Sequence, residues 1–370
     1  MTSREAYIAL NMMQGVGPVT VRALAAALGA PERIFDADRA ALLGVAGVGA
    51  DIVGKILAQR DKLDVALEEE KAARLDARLV TPVDAEYPRR LLQIYDPPLA
   101  LYVQGGIQTR DERGVALVGS RRTTHYGREM AERLAVQLAW GGVTVVSGLA
   151  RGIDTAAHTG ALKGKGRTLA VLGGGLDCLF PPENAELAAT IARQGAVITE
   201  YAMGRQPDKT TFPVRNRIVS GISLGVVVVE ADVTSGAMIT ARQAAEQGRT
   251  VFAVPGRVDS FGSRGPHQLL KSGARLVENV EDILDEFSEL LPPGAGRPKP
   301  EEGAAPKHTS DEQMLVDLMR AEGEMDVDTL IRLSQKKAWE VSALLLGLEM
   351  KRAIKMLPGQ RVALRLSERT

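Results

Sequence analysis

Short apolar runs that alternate with helical segments dominate residues 115–277. In order, the runs are VALVGS, VTVVSG, TLAVLGGG, AVITEY, LGVVVVEA and TVFAVPG. Each is apolar at consecutive positions, as is typical of parallel strands that are buried on both faces of a sheet. Right-handed crossovers through the intervening helices give an α/β fold with a Rossmann-like doubly wound, mainly parallel sheet. The carboxyl ends of such strands share one edge, where we expect the ligand crevice.

Small polar residues and cations follow several of these runs. Small residues allow a backbone to approach a ligand, and hydroxyl and N–H groups donate to phosphate oxygens. A tight turn from strand to helix also needs small residues, whatever it binds. The small residues are Gly119, Ser120, Ser147, Gly148, Ser235 and Gly236. Basic residues expected on the same rim favour the phosphate interpretation. They are Arg121, Arg122, Arg151, Lys209, Arg215 and Arg217.

The segment KTTFPVRNRIVSG, residues 209–221, places Arg215 and Arg217 on either side of Asn216 just before a helix. Two interpretations of these arginines remain open. Either they reach the crevice together with Asn216, or one of them pairs with an acid such as Glu200 or Glu230 behind it.

Two phenylalanines lie near the expected crevice in a chain of which only 4% is aromatic. Phe212 lies beside the arginines, and Phe180 follows the glycine turn of LGGGLD. An exposed phenyl ring stacks a nucleobase without sequence preference, at about 1–3 kcal/mol. The alternative is that both rings belong to the apolar core.

Composition and motifs narrow the classes of function. Lys plus Arg and Asp plus Glu are both 46, so the formal net charge is zero. Any nucleic-acid site must therefore be a local basic patch. Neither a correctly spaced GxGxxG fingerprint nor a GxxxxGK[ST] motif occurs, so a dinucleotide cofactor and NTP hydrolysis through a P-loop are not supported. We expect a binding protein with no cofactor and no catalytic residues. Four scattered histidines and one cysteine, Cys178, argue against a metal site and an internal disulfide.

The N-terminal segment MTSREAYIALNMM lacks the long apolar stretch of a signal peptide. The sequence also has no run of about 18 apolar residues, the length that spans a membrane. These features and the single cysteine predict a cytoplasmic protein without a membrane partner.

Residues 1–75 are predicted to be a helical domain of the helix–hairpin–helix or SAM-like type. Its marks are two turns between apolar helical segments, Gly15-Val16-Gly17 and Gly47-Val48-Gly49. Backbone N–H groups at such a turn can hold a phosphate, or the glycines only let two helices meet closely.

Three further regions follow. Residues 76–290 are expected to form the Rossmann-like DNA-binding domain, with residues 68–102 packing against it as loop and short strand. Residues 291–310, rich in proline and glycine, are predicted to be a flexible linker. Residues 311–370 give three amphipathic helices and a hairpin, a winged-helix-like pattern found in modules that bind either duplex DNA or protein.

Several of these segments together resemble a known family. GSRRTTHYG, SGLARGIDTAAHTGAL, LGGGLDCLFPPEN, TFPVRNRIVSG, VVVVEADVTSGAMITA and VFAVPG are similar, in this order, to the motifs of the DNA-processing protein A (DprA, or Smf) family. The resemblance implies a cytoplasmic, homodimeric protein that binds and protects single-stranded DNA. It also implies help in loading RecA recombinase during natural transformation and recombination, with single-stranded-DNA-binding protein as a further partner.

The resemblance also assigns roles to single residues. It implies that Arg121 and Lys209 bind phosphate, and that the segment from Gly175 to Phe180 supplies backbone contact and base stacking.

The chain departs from the family at several positions, among them Phe180, where tyrosine is common, and Thr199, where TEYA replaces SEYP. Asp177 stands where some members have lysine, which puts that charge contact in doubt, and His267 stands where asparagine is common.

A nucleotide-processing enzyme of the phosphoribohydrolase kind is the alternative function on a similar sheet. Such a site needs an arginine and a glutamate around a ribose phosphate, usually with a PGGxGT turn. Here Pro255-Gly256 is followed by Arg257-Val258, so the turn is broken. Glu200 and Glu230 remain as candidate acids for this alternative.

Overall fold

The computed structural model describes residues 1–290, 308–351, 353–357 and 359–364. The chain divides into two compact units, Met1–Ala295 and Gly296–Thr370. Most of the predicted linker, residues 291–307, lies outside the described residues. The first unit contains both the helical region and the sheet, so a domain boundary at residue 75 stays a prediction.

Short helices form the N-terminal part of the first unit. They are α1 (Ser3–Met12), α2 (Pro18–Leu28), α3 (Arg33–Asp36), α4 (Arg39–Leu43), α5 (Ala50–Gln59) and α6 (Val65–Ala73). The two predicted glycine turns precede α2 and α5, where Gly17 and Gly49 are the N-cap residues. Gly15 and Gly47 have φ of +74° and +82°, in the left-handed region that favours glycine. The repeated turns therefore have a conformational cause that is independent of any ligand.

The predicted doubly wound sheet is confirmed. Its strands are β1 (Ala77–Val80), β2 (Leu101–Gly105), β3 (Gly114–Val118), β4 (Thr144–Ser147), β5 (Thr168–Val171), β6 (Ala196–Thr199), β7 (Gly225–Val228), β8 (Thr250–Ala253) and β9 (Arg275–Leu276). Their order in space is β1-β2-β6-β5-β4-β3-β7-β8-β9. All pairs from β6 to β9 are parallel. The six apolar runs of the sequence correspond to β3–β8.

Helices cover both faces of this sheet. One face carries α7 (His125–Trp140), α8 (Ile153–Lys163), α9 (Ala185–Gln194) and α13 (Glu281–Leu284). The other carries α10 (Thr211–Ile222), α11 (Gly236–Glu246) and α12 (Arg264–Lys271). Leu134 and Val145 belong to the first apolar layer, and Ile218 and Val226 to the second. Burial on both faces explains why the strand sequences are continuously apolar.

Residues 68–102 contain the expected loops and short strand, but the strands join the sheet and do not merely pack against it. This region supplies β1 and β2, which pair antiparallel with each other, and β2 pairs antiparallel with β6. The two strands thus extend the sheet and cover the edge that β6 would otherwise expose. Tyr102 of β2 donates its hydroxyl proton to Glu68 Oε1 over 2.9 Å, which ties α6 to the sheet.

The second unit has the predicted winged-helix arrangement. Its elements are α14 (Ser310–Glu322), β10 (Met325–Asp326), α15 (Val327–Ser334), α16 (Ala338–Met350), β11 (Ile354–Leu357) and β12 (Arg361–Leu364). The strand β12 pairs with both β11 and β10. Thr309 caps α14 reciprocally with Glu312. Across the described part of the chain, no helix has the length and apolar character needed to cross a bilayer.

Candidate nucleic-acid interface

A crevice lies where the sheet changes its winding direction. From β3 the chain proceeds to β4 on one side and returns to β7 on the other. The carboxyl ends of β3 and β4, with the N-terminal parts of α10 and α11, enclose a volume of about 400 Å³. This is the edge at which the sequence predicts a ligand site. Predicted site residues that line it are Gly119, Ser120, Arg121, Arg122, Gly148, Phe212, Arg215, Asn216, Ser235 and Gly236.

Glu230, at the end of β7, holds the loop that carries Arg121 and Arg122. Its carboxylate accepts hydrogen bonds from Thr123 Oγ1 at 2.6 Å, Thr124 N at 2.8 Å and Thr124 Oγ1 at 2.5 Å. Its backbone oxygen accepts the Ser120 N–H at 2.6 Å. The loop is thereby fixed from two sides, and both arginines are exposed on the rim.

Two arginines and two phenyl rings form a row beside the crevice, here named the aromatic row. The guanidinium of Arg121 lies 4.7 Å from the ring centroid of Phe212. The rings of Phe212 and Phe180 are 6.1 Å apart, and the guanidinium of Arg151 lies 5.8 Å from the Phe180 ring. Phe180 is 42% exposed and Phe212 is half-buried. Two neighbouring rings flanked by two cations therefore lie along an accessible surface.

Arg215 forms part of the crevice floor. It is 4% exposed, and its Nη1 donates to the backbone oxygens of Gly148, at 2.5 Å, and Val171. Its Nε donates to Asn216 Oδ1 at 3.1 Å. Burial lowers the pKa of Arg215 to about 10, although the negative charge of nearby Asp154 acts to raise it. The residue thus places a fixed positive charge beneath the site at neutral pH.

Asp154 is a crevice residue that sequence reasoning missed. Its Oδ2 accepts the N–H groups of Gly148 at 3.2 Å and Ala150 at 3.3 Å. Burial raises the pKa of the Asp154 carboxyl, and nearby Arg215 opposes the shift. The available signal was its place at the start of α8, directly after the glycine-rich turn.

Arg217 does not reach the crevice, which corrects one of the two interpretations of the arginine pair. It is 4% exposed; its Nε contacts Asp96 Oδ2 at 2.8 Å and its Nη2 contacts Glu200 Oε2 at 2.6 Å. Pairing with Glu200 is the alternative that was left open. Glu230 plays no such part, because its carboxylate binds the threonines.

Three more expected site residues lie outside both the crevice lining and the aromatic row. The hydroxyl of buried Ser147 donates to Leu117 O at 2.6 Å and is not available to a ligand. The N–H of buried Gly175 donates to Arg205 O at 2.8 Å, so the expected backbone contact to a ligand is blocked there. Lys209 is exposed near the start of α10, beyond the lining residues.

Asp177 and His267, two positions at which the chain departs from the family, both make hydrogen bonds to backbone groups of loops. The Asp177 carboxylate accepts the Gly204 N–H, with both oxygens at 2.9 Å, and so anchors the neighbouring loop. His267 places Nε2 3.1 Å from Gly256 O.

Asp208 accepts N–H groups from Thr210 and Thr211, which orders the backbone around Lys209. Hydrogen bonds from the Thr210 side chain and backbone lower the pKa of Asp208 to about 2.

The polar atoms of the crevice fit an anion better than a metal ion. Among the described residues, no three His, Cys, Asp or Glu side chains come together as possible metal ligands. The Ser235 Oγ is buried at the N-cap of α11 and has no hydrogen-bond partner within the described chain. Gly236 opens that helix beside it, where unpaired N–H groups favour an anion.

Fold and site together define a class: a doubly wound α/β protein with a cationic, aromatic crevice at the switch point of its sheet. Residues 78–288 match the family model described as DNA recombination-mediator protein A. Residues 299–360 match a DprA winged helix domain, and residues 7–62 match a SAM-like helix-hairpin-helix tandem. The chain belongs to the DNA-processing protein A (DprA/Smf) family.

Individual relatives agree with this assignment. The chain is 38% identical over 287 residues to protein Smf of Synechocystis, covering 76% of this chain and 72% of the relative. It is 48% identical over 206 residues to protein Smf of Escherichia coli, covering 55% of each.

Two solved structures are also similar. DNA processing protein A from Streptococcus pneumoniae matches with a TM-score of 0.67 and 34% identity, over 78% of this chain and 98% of that one. DNA processing protein A from Helicobacter pylori, described for its single-stranded DNA binding mode, matches with a TM-score of 0.52 and 31% identity. That match covers 58% of this chain and 97% of that one.

Proposed function

We propose that this protein binds single-stranded DNA along the aromatic row, independently of sequence. The row of Phe212 and Phe180, flanked by Arg121 at one end and Arg151 at the other, carries this proposal. Phenyl rings stack on any base, and guanidiniums beside them bind the phosphates between bases. In a duplex the base faces are already stacked, so this surface favours an unpaired strand. The single-stranded DNA binding described for the Helicobacter pylori relative supports the proposal.

The role of this binding is to protect the strand and to help RecA load on it, in natural transformation and recombination. A cytoplasmic homodimer that cooperates with single-stranded-DNA-binding protein fits that role. Because the formal net charge of the chain is zero, overall charge does not attract DNA, and the affinity of each protomer comes from its local basic site. In this role the protein handles DNA without chemical catalysis.

The contacts of Glu200 and Glu230 support a non-enzymatic role. A phosphoribohydrolase-like reaction requires a carboxylate that faces the ribose. Glu230 is engaged by Thr123 and Thr124, and Glu200 is paired with Arg217. Neither acid is placed to act on a bound nucleotide.

Removal of two cations tests the site. Arg121→Ala combined with Lys209→Ala should sharply weaken binding to a labelled oligonucleotide. It should also reduce the slope of log K against log salt by about 0.7 for each lost phosphate contact. Fluorescence anisotropy at several salt concentrations measures both quantities.

A matched control removes two cations from the opposite edge of the sheet. Arg110 precedes β3 and Lys163 ends α8, and both are exposed. Arg110→Ala combined with Lys163→Ala should leave the affinity and its salt dependence nearly unchanged. Equal losses in both double variants would show that only general charge matters, and unchanged binding in the first would refute the site.

RecA loading is tested separately. RecA is supplied to single-stranded DNA already covered by single-stranded-DNA-binding protein, and filament formation is followed with and without this protein. Wild type should accelerate the reaction, and the Arg121→Ala, Lys209→Ala variant should not. Strong DNA binding without acceleration would remove the RecA part of the proposal alone.

A further inference from the structure

A second exposed aromatic residue lies at the same edge of the sheet, in the loop that follows β8. Phe261 is 67% exposed and begins a short turn, Phe261–Ser263. The guanidinium of Arg264 lies 4.0 Å from the centroid of its ring. Because the loop reaches from β8 to the start of α12, the pair lies on the other side of β7 from the aromatic row.

Backbone hydrogen bonds fix this loop to the strand end that also holds the Arg121 loop. Ala231, directly after Glu230, donates its N–H to Gly262 O at 2.7 Å and accepts the Gly265 N–H at 2.8 Å. The Glu230 carboxyl lies against Gly262, where an added Cβ would be 3.1 Å from its Cδ. The oxygens of the same carboxyl bind the threonines next to Arg121. Phe261 is therefore presented by an ordered loop.

The charges around Phe261 leave one arginine available. Arg257 of the same loop pairs with Asp259 at 3.0 Å. Arg264 is exposed, and within the described chain no carboxylate lies within ion-pair distance of its guanidinium. It covers one face of the phenyl ring, while much of the ring remains open to solvent. The arrangement repeats the pairing of Arg121 with Phe212.

We propose that Phe261 and Arg264 form a second stacking site for the same DNA strand. This inference rests on the proposed function and extends the binding edge from the aromatic row past β7 to β8. A base stacks on the open face of Phe261, and the Arg264 guanidinium binds an adjacent phosphate. A strand long enough to reach both sites binds more tightly than one that fills the aromatic row alone.

A length series of oligothymidylates, from about 4 to about 16 residues, tests this with the full-length protein. Phe261→Ala should weaken binding of the longest strands by about fivefold or more, and leave the shortest strands unaffected. Phe212→Ala should weaken binding at every length. Phe261→Trp should preserve the long-strand affinity, and Arg264→Gln should reduce its salt dependence. Because Phe261 is mostly exposed, the changes at position 261 should not affect folding.

The outcomes separate this inference from the proposed function. If wild type binds the series normally and Phe261→Ala has no effect, or the same effect at every length, the second site is refuted while the first stands. A change in oligomeric state of Phe261→Ala, measured by light scattering without loss of long-strand affinity, would make Phe261 a contact between protein copies and also refute it. If wild type binds no strand, both proposals fail. Photocrosslinking of 5-iodouracil in a long strand to Phe261 would directly support the second stacking site.

Discussion

Gly148 and the guanidinium of Arg215 occupy adjoining space in the crevice floor, with no room for a side chain between them. A Cβ added at Gly148 would lie 2.5 Å from Cζ of Arg215. The carbonyl oxygen of Gly148 also accepts a hydrogen bond from Arg215 Nη1 at 2.5 Å. The absence of a side chain at position 148 is therefore what allows the buried cation to lie under the crevice.

Gly148→Ala should displace Arg215 and destabilise the fold by about 1–3 kcal/mol, the usual cost of overpacking. The affinity for single-stranded DNA should fall as well. Chemical denaturation gives the free energy of unfolding. Gly236→Ala is the matched control, because a Cβ there meets nothing within 4 Å, and its stability should stay within about 0.5 kcal/mol of wild type. Equal stability of the two variants would contradict the argument.

Glu230 is predicted to act as a positioning residue for Arg121. Glu230→Ala removes the acceptor for three hydrogen bonds from Thr123 and Thr124. Leaving such donors unsatisfied costs about 1–3 kcal/mol each, so stability and DNA affinity should both decrease. Glu230→Gln keeps the shape and can still pair with hydroxyls, so its loss should be much smaller. Binding that is identical in wild type and Glu230→Ala would show that the loop orders itself without Glu230.

Arg217 should matter for stability and not for DNA contact. Arg217→Met leaves the buried Glu200 carboxylate without its partner, which typically costs about 3–5 kcal/mol. Adding Glu200→Gln should restore much of that loss, since the amide carries no charge to bury. Burial already raises the pKa of Glu200, in line with this cost. If the stable double variant lost affinity for DNA, Arg217 would have to contact DNA, and this prediction would be wrong.

Much of the sheet could be predicted from the sequence, because each buried parallel strand from β3 to β8 is a continuous apolar run. The pairing of β2 with β6 is not local, and no periodicity near residue 101 distinguishes it from a buried loop. Among the site residues, Arg121, Arg151, Phe180 and Phe212 were predicted and lie together. Ser147 and Arg217 were wrongly predicted to line the site, because the sequence does not show that their side chains point to partners inside the protein. The Asp96 partner of Arg217 lies 121 positions away in the chain.

His158 predicts a pH dependence of stability. It is fully buried, and Thr168 already donates its hydroxyl proton to Val145 O, so the neutral imidazole donates from Nδ1 to Thr168 Oγ1 over 2.7 Å. Burial lowers the pKa of His158 from 6.5 to about 3. The unfolded chain therefore binds a proton that the folded chain rejects, and stability is lost as the pH falls below 6.5.

Denaturation at a series of pH values checks this relationship. Between the two pKa values of His158, wild type should lose about 1.4 kcal/mol per pH unit relative to a variant without the imidazole. His158→Gln is such a variant, and its own stability sets only the offset between the curves. Parallel curves for wild type and His158→Gln would show that the buried imidazole is protonated in the folded protein.

If DNA occupies the aromatic row as proposed, Glu183 competes with it for Arg151. The two side chains are paired at the end of the aromatic row, and the hydrogen bond from Arg151 lowers the pKa of Glu183. A phosphate that reaches Arg151 must displace a carboxylate that is always present at high effective concentration. In the proposed complex, the contact at this end of the row is therefore weaker than the contact at Arg121, which pairs with no carboxylate among the described residues. A strand bound in this way can exchange one end stepwise without complete dissociation, which favours transfer over storage.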